Sequence, residues 1–211
     1  MSSQHTDLVR VDEGQFRVED RPPTLGGMGD YVNGLAQPML AGGAWIHAGI
    51  NCGPVRATVQ PLDYPPAELD PGPWDDVVEI SVVSLVGRMR VQPLYADDVT
   101  PDLPLVSSMG PGCYRLRVHA RGRDDHYDQV VEEPTEDYLI LSWPAPMMPE
   151  LVIAGSSTLG QQLRMRCFTD TYPLRSAPRA EDGMVSQQEW ARKVAHEDNL
   201  ERARQQARRR T

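Results

Sequence analysis

Between Cys113 and Trp143 the chain reads CYRLRVHARGRDDHYDQVVEEPTEDYLILSW, and this stretch restricts the fold more than any other. Tyr114, Leu116 and Val118 alternate with Arg115, Arg117 and His119, the period of two that turns one face of a strand toward a core. Tyr138 to Trp143 is short, apolar and rich in strand formers, and Pro144 and Pro146 stop it. Between the two runs, Asp124 to Asp137 holds seven carboxylates (Asp124, Asp125, Asp128, Glu132, Glu133, Glu136 and Asp137) and no Lys or Arg. Two core strands joined by a long acidic loop satisfy all of these observations.

Strand signals continue on both sides of that pair. Asp76 to Val86 (DVVEISVVSLV) is apolar on both faces after Ile80 and is expected at the centre of a sheet. Ala44 to Ile50 and Val55 to Leu62 flank Asn51-Cys52-Gly53-Pro54, which has the turn chemistry of a hairpin. Asp7 to Val11 and Gln15 to Val18 lie around Glu13-Gly14 and predict an opening hairpin or a bent strand. Met89 to Val91 and Leu151 to Ala154 predict short additional strands. Pro and Gly, 19 and 17 of 211 residues, supply the many turns that such a fold needs.

The expected fold is therefore mainly β: an antiparallel β-sandwich over residues 1–155, with a C-terminal α-helix. Tyr114, Leu116, Val118, Val78, Ile80, Val82, Leu139 and Leu141 are its expected core. Residues 156–185 are expected to be an irregular connector, because Pro173 and Pro178 exclude a helix through the middle of the segment after Leu163. Residues 186–211 are expected to form a basic helix, opened by the capping box Ser186-Gln-Gln-Glu189.

Charge divides along the same boundary. The chain carries −9, yet residues 186–211 hold seven basic and four acidic side chains, a local +3, which leaves −12 on the first 185. An acidic body disfavours nucleic acid and favours basic partners, so only the tail is suited to nucleic acid. Cys52, Cys113 and Cys167 are odd in number and form no CxxC, as expected of a reducing compartment. MSSQHTDLVR has no apolar stretch, and nowhere do 18 apolar residues run together. The expectation is a cytoplasmic protein without a signal peptide or membrane span. Of the 21 basic residues only Lys193 is Lys, a coding bias that suggests a bacterial source.

Candidate chemistry is sparse. His119 and His126 bracket Arg-Gly-Arg-Asp-Asp and could join the nearby aspartates on a divalent metal, the basis of a hydrolase reading. Their spacing matches neither HExxH nor an EF-hand. No GxSxG elbow is present. GGxG at 26–29 is neither preceded by an apolar strand nor followed by a strong helix, so it does not read as a phosphate loop. No cofactor is called for. The acidic loop admits two readings, a solvated connection or a row of carboxylates that imitates phosphates for a basic protein surface. In the second, Asp124, Asp125, Asp128, Glu132 and Glu133 contact the partner, with Tyr127 and the valines beside it as apolar anchors.

Residues 74–143 also present an ordered set of features. A WDDVVEISV strand comes first, then a Gly-interrupted strand, a Pro-containing loop, and the PxGxYxL strand Pro111-Gly-Cys-Tyr-Arg-Leu116. An acidic segment and the strand Asp137-Tyr-Leu-Ile140 close the set. In this order the stretch resembles the competence protein J family, inhibitors of the bacterial DNA-entry nuclease. The resemblance implies a non-catalytic β-sandwich that blocks a partner enzyme, and it carries over no catalytic residue. The leading functional expectation is thus a protein-binding module, an inhibitor or immunity protein of a nuclease-like enzyme. The alternatives are a metal-dependent hydrolase using His119 and His126, or an assembly subunit with a basic helical tail.

Overall fold

The computed structural model describes residues 4–20, 33–39, 42–95 and 98–171, with side chains to residue 166. The GGxG cluster and the expected basic helix lie outside the described residues. Residues 1–168 form one unit of the chain and residues 169–211 another.

Two sheets make up the first unit. The larger runs in the order β1 (His5–Val11), β5 (Gly53–Pro61), β9 (Asp137–Pro144), β8 (Gly112–Arg121), β6 (Asp76–Ser84), β10 (Leu151–Gly155). The smaller runs β3 (Ala36–Pro38), β4 (Ala44–His47), β2 (Gln15–Glu19), β7 (Arg90–Gln92). All pairings are antiparallel except β5 with β9, which is parallel and sets Arg56 opposite Asp137. A parallel pair needs a long crossover, and here β6, β7 and β8 lie between its two strands in the chain. The mainly β reading holds, but β6 is next to last in the larger sheet and not at its centre, paired along its two edges by β8 and β10.

Both sheets feed one core. Val9, Val55, Val59, Ile80, Leu116, Val118 and Ile140 come from the larger sheet, and Phe16, Val18, Ile46 and Val91 from the smaller, all fully buried. Phe16 meets Tyr138 across the sheets edge to face, ring centroids 5.0 Å apart. The PxGxYxL motif has a local cause. Tyr114 faces the core, and its hydroxyl donates to the Gly110 carbonyl (2.8 Å) while accepting from the Met109 amide (3.0 Å). One tyrosine thus ties the turn to the strand that follows it.

Four expectations are corrected. The segments around Asn51 to Pro54 are not a hairpin: β4 belongs to the smaller sheet and β5 to the larger, so the turn carries the chain from one sheet to the other. Likewise the opening hairpin goes no further than its turn: the chain reverses at Glu13-Gly14 with one antiparallel bridge, Asp12 with Gln15 at 3.1 and 3.3 Å, and β1 and β2 then enter different sheets. Core positions on β9 are Tyr138 and Ile140, whereas Leu139 and Leu141 face the other way and are partly covered. Finally, the first half of the expected connector is regular: α1 spans Thr158–Thr171.

Burial also extends to the side of β8 opposite the core. Arg115, Arg117 and His119 are 3%, 4% and 5% exposed. Glu79 accepts from Arg115 Nε (3.0 Å) and Arg117 Nε (2.8 Å), and the Met148 and Glu68 carbonyls accept from the same two guanidinium groups. Trp74 lies against His119, and Trp143 against Arg117. The Pro-rich segments on either side of Glu68 and Met148 therefore cover this face.

Candidate functional site

The acidic loop begins where Gly122 turns the chain out of β8, its φ of +80° open to glycine. Arg123 then enters the interior. It is 0% exposed, with Nη1 2.7 Å from Asp76 Oδ2 and Nη2 donating to the Gly34 carbonyl at 3.0 Å. Ser157 Oγ donates to the same Asp76 oxygen and accepts from the Gly160 amide at 2.9 Å. Ser157 is thus the N-cap of α1. Asp124 completes the helix start by accepting from the Thr158 and Leu159 amides at 2.7 and 3.0 Å. Burial works against its charge, but these two donors, together with the Thr158 hydroxyl and the Arg123 charge, outweigh it and hold the carboxyl below the usual aspartate range.

Further along, the loop is laid against residues 49–53. The Asp128 amide donates to the Gly49 carbonyl (2.8 Å), Asn51 N to Gln129 O (2.8 Å) and Val131 N to Cys52 O (2.9 Å). Gly49 has no room for a side chain, since a Cβ there would sit 1.8 Å from the Arg123 carbonyl oxygen. Asn51 Nδ2 also donates to Asp128 Oδ1 at 2.8 Å. Glu136 closes the loop from inside: 1% exposed, it accepts from the Gly49 and Ile50 amides and from the Tyr138 hydroxyl. Burial, then the charge of Glu136, pushes the Tyr138 hydroxyl well above its ordinary pKa. Asp137 pairs with both Arg56 (2.6 Å) and Arg121 (2.8 Å).

The seven carboxylates therefore divide. Asp124, Asp128, Glu136 and Asp137 have structural partners. Asp125, Glu132 and Glu133 are exposed and, among the described residues, make neither an ion pair nor a side-chain hydrogen bond. Beside them Tyr127 is 53% and Val130 75% exposed. The partner-contact set read from the sequence lies on one loop, where Asp124 and Asp128 are exposed and also carry structural hydrogen bonds.

The histidines do not converge in the way a shared metal requires. His119 Nδ1 is held by the Leu139 carbonyl at 3.0 Å beneath Trp74, whereas His126 is at the loop turn beside Gln129. Among the described residues, no three His, Cys, Asp or Glu side chains are grouped to hold a metal ion. Nor is any helix of the described residues long and apolar enough to cross a membrane.

No family model matches the sequence, and no curated protein matches it either. Two solved structures are similar. ComJ from Bacillus subtilis, described as an inhibitor of the DNA degrading activity of NucA, aligns over 69% of this chain and 99% of its own, with 13% identity and a TM-score of 0.46. The product of crocagin biosynthetic gene J aligns over 68% of this chain and 99% of its own, with 14% identity and a TM-score of 0.42.

Several residues that shape the site are not visible as such in the sequence. Arg123 reads as one more loop charge, Glu136 as one more loop acid, and Asp76 as the start of a strand. Ser157 is the one that could have been found. A serine before a run without proline is an N-cap signal, although the weakly amphipathic α1 hides the helix behind it.

Proposed function

We propose that this protein is a non-catalytic protein-binding module that offers the acidic loop to a basic protein surface, as an inhibitor or immunity protein of a nuclease-like enzyme. The observation that carries this reading is the division of the loop's carboxylates. Four of them hold the loop in place through Arg56, Arg121, Asn51 and backbone amides. The other three, with Tyr127 and Val130, are left on an ordered surface. A preorganised acidic surface loses little conformational entropy on binding and attracts basic partners over several ångströms.

The same division fixes the test. Asp124 accepts from two helix amides and Asp128 lines the neighbouring turn, so the variant that reports on the exposed acids alone is Asp125→Asn, Glu132→Gln, Glu133→Gln. A protein captured from source-cell extract by the wild type is purified and titrated with both forms. The triple variant should bind it about tenfold or more weakly, chiefly through slower association, with a flatter dependence on salt. Equal affinity at low salt would remove the acidic loop from the interface.

A further inference from the structure

Beside the acidic loop lies a cavity of about 200 Å³ whose wall comes from four parts of the chain. Glu13 and Gln15 line it from the β1–β2 turn, His47 and Ile50 from the crossing after β4, Tyr127 and Asp128 from the loop, and Leu159 and Leu163 from α1. It is too small for a cofactor or drug-sized ligand, which occupy about 300–1,000 Å³. It exceeds a water's share of roughly 30 Å³ several times over. One side chain is the scale that fits.

The charge of the lining narrows which side chain. Among the described residues no Lys or Arg lines the cavity. Burial, and then the nearby Arg123 charge, leaves His47 neutral at physiological pH. Among the described residues Glu13 and Asp128 are the carboxylates of the lining. Each has one oxygen engaged, Glu13 Oε1 by the Tyr95 hydroxyl at 2.5 Å and Asp128 Oδ1 by Asn51 at 2.8 Å, and each has a second oxygen without a partner among the described residues. Among the described residues these two are also the only non-glycine residues at positive φ, +52° and +59°. L residues adopt that conformation at a cost, and the fold accepts it twice at the rim of one cavity.

We infer that this cavity receives a single arginine side chain of the partner, its methylenes against Leu159, Leu163 and Tyr127 and its guanidinium toward Glu13 and Asp128. An apolar stem ending in a planar cation is what apolar walls with carboxylates at the rim select. This rests on the reading of the loop as the partner face, since Tyr127 and Asp128 belong to both.

The test uses the full-length ¹⁵N-labelled protein and a probe independent of any partner. Nα-acetyl-arginine amide should produce saturable amide shifts at Gly14, Gly49, Asn51 and Asp128, and Nα-acetyl-norleucine amide shifts at least fivefold weaker. Glu13→Gln with Asp128→Asn keeps side-chain shape, and Asn tolerates the positive φ at 128. That double variant should lose at least fivefold in affinity for the arginine probe. Absence of saturable shifts in the wild type, equal response to norleucine amide, tighter binding of the lysine amide, or no loss in the double variant would each overturn the assignment. The two readings fail separately: partner titration reports on the acidic face, and the arginine probe on the cavity alone.

Discussion

A second proton on the His47 ring would have to sit in a buried site near the Arg123 guanidinium, and burial first, then that charge, lowers its pKa to about 3. In the unfolded chain the same ring takes up its proton near pH 6.5. Between those values the unfolded state binds one more proton than the native state, so stability falls as pH falls. His119 acts with the same sign, its pKa lowered chiefly by burial in spite of the Leu139 carbonyl. Glu19 opposes the trend, because burial raises its carboxyl and the native state then holds a proton that the unfolded state has released. Asp124 and Asp137, both lowered, add their losses only at more acid pH. For His47 one pH unit within the window corresponds to about 1.4 kcal/mol, so moving from pH 6.5 to 5 should remove about 2 kcal/mol through this residue. Urea titrations at pH 7.5 and 5 check it. His47→Gln should shrink the difference in unfolding free energy between the two pH values by about 2 kcal/mol, and an undiminished difference would show that the imidazole is not held neutral.

At the scale of the element, β9 shows how one strand can be legible while its orientation is not. Its run Tyr138-Leu-Ile-Leu141 has no alternation, so the sequence marks a strand without saying which residues face in. A shift of one position exchanges the two faces, and register with β8 and β5 places Tyr138 and Ile140 in the core. Ile140→Ala should cost roughly 2–5 kcal/mol, as large-to-small changes in a closed core do. Leu139→Ala, on the partly covered side, should cost about 1 kcal/mol, and equilibrium unfolding in urea that reversed the order would return the core to the leucines. β8 is the opposite case. Its alternation identifies Tyr114, Leu116 and Val118 correctly, but cannot reveal that Glu79 and the segments around Glu68 and Met148 bury Arg115 and Arg117 from the other side. The turn at 51–54 fails as a hairpin signal for a related reason. Gly and Pro there specify a reversal, and a reversal serves equally to cross between sheets. The acidic loop was legible as a loop and as acidic. Which of its acids are structural depends on partners as distant in the chain as Asn51 and Thr158, and no local pattern encodes them.

Across the whole first unit, the crossings after β1 and β4 interleave the two sheets in the chain, so neither sheet is a continuous segment that could fold alone. β2 and β4 of the smaller sheet are each followed or preceded by strands of the larger one, and Phe16 meets Tyr138 in the core they share. A single core built from both sheets predicts one cooperative transition. The tryptophans allow each sheet to be followed separately. Trp45 is on β4, while Trp74 and Trp143 lie over the buried arginines and His119 of the larger sheet. A variant retaining only Trp45 and one retaining only Trp74 and Trp143, with Phe at the other tryptophan positions, report the two sheets by fluorescence. Their own stabilities differ, so each is compared with far-UV circular dichroism of the same variant in the same urea series. Fluorescence and dichroism midpoints should coincide in both. Phe16→Leu, added to each, should lower both signals together by about 1 kcal/mol, the scale of one aromatic contact and a modest loss of volume. If Trp45 fluorescence changed at lower urea than the dichroism, or Phe16→Leu moved only the smaller sheet, the two sheets would be separate cooperative units joined at a weaker interface.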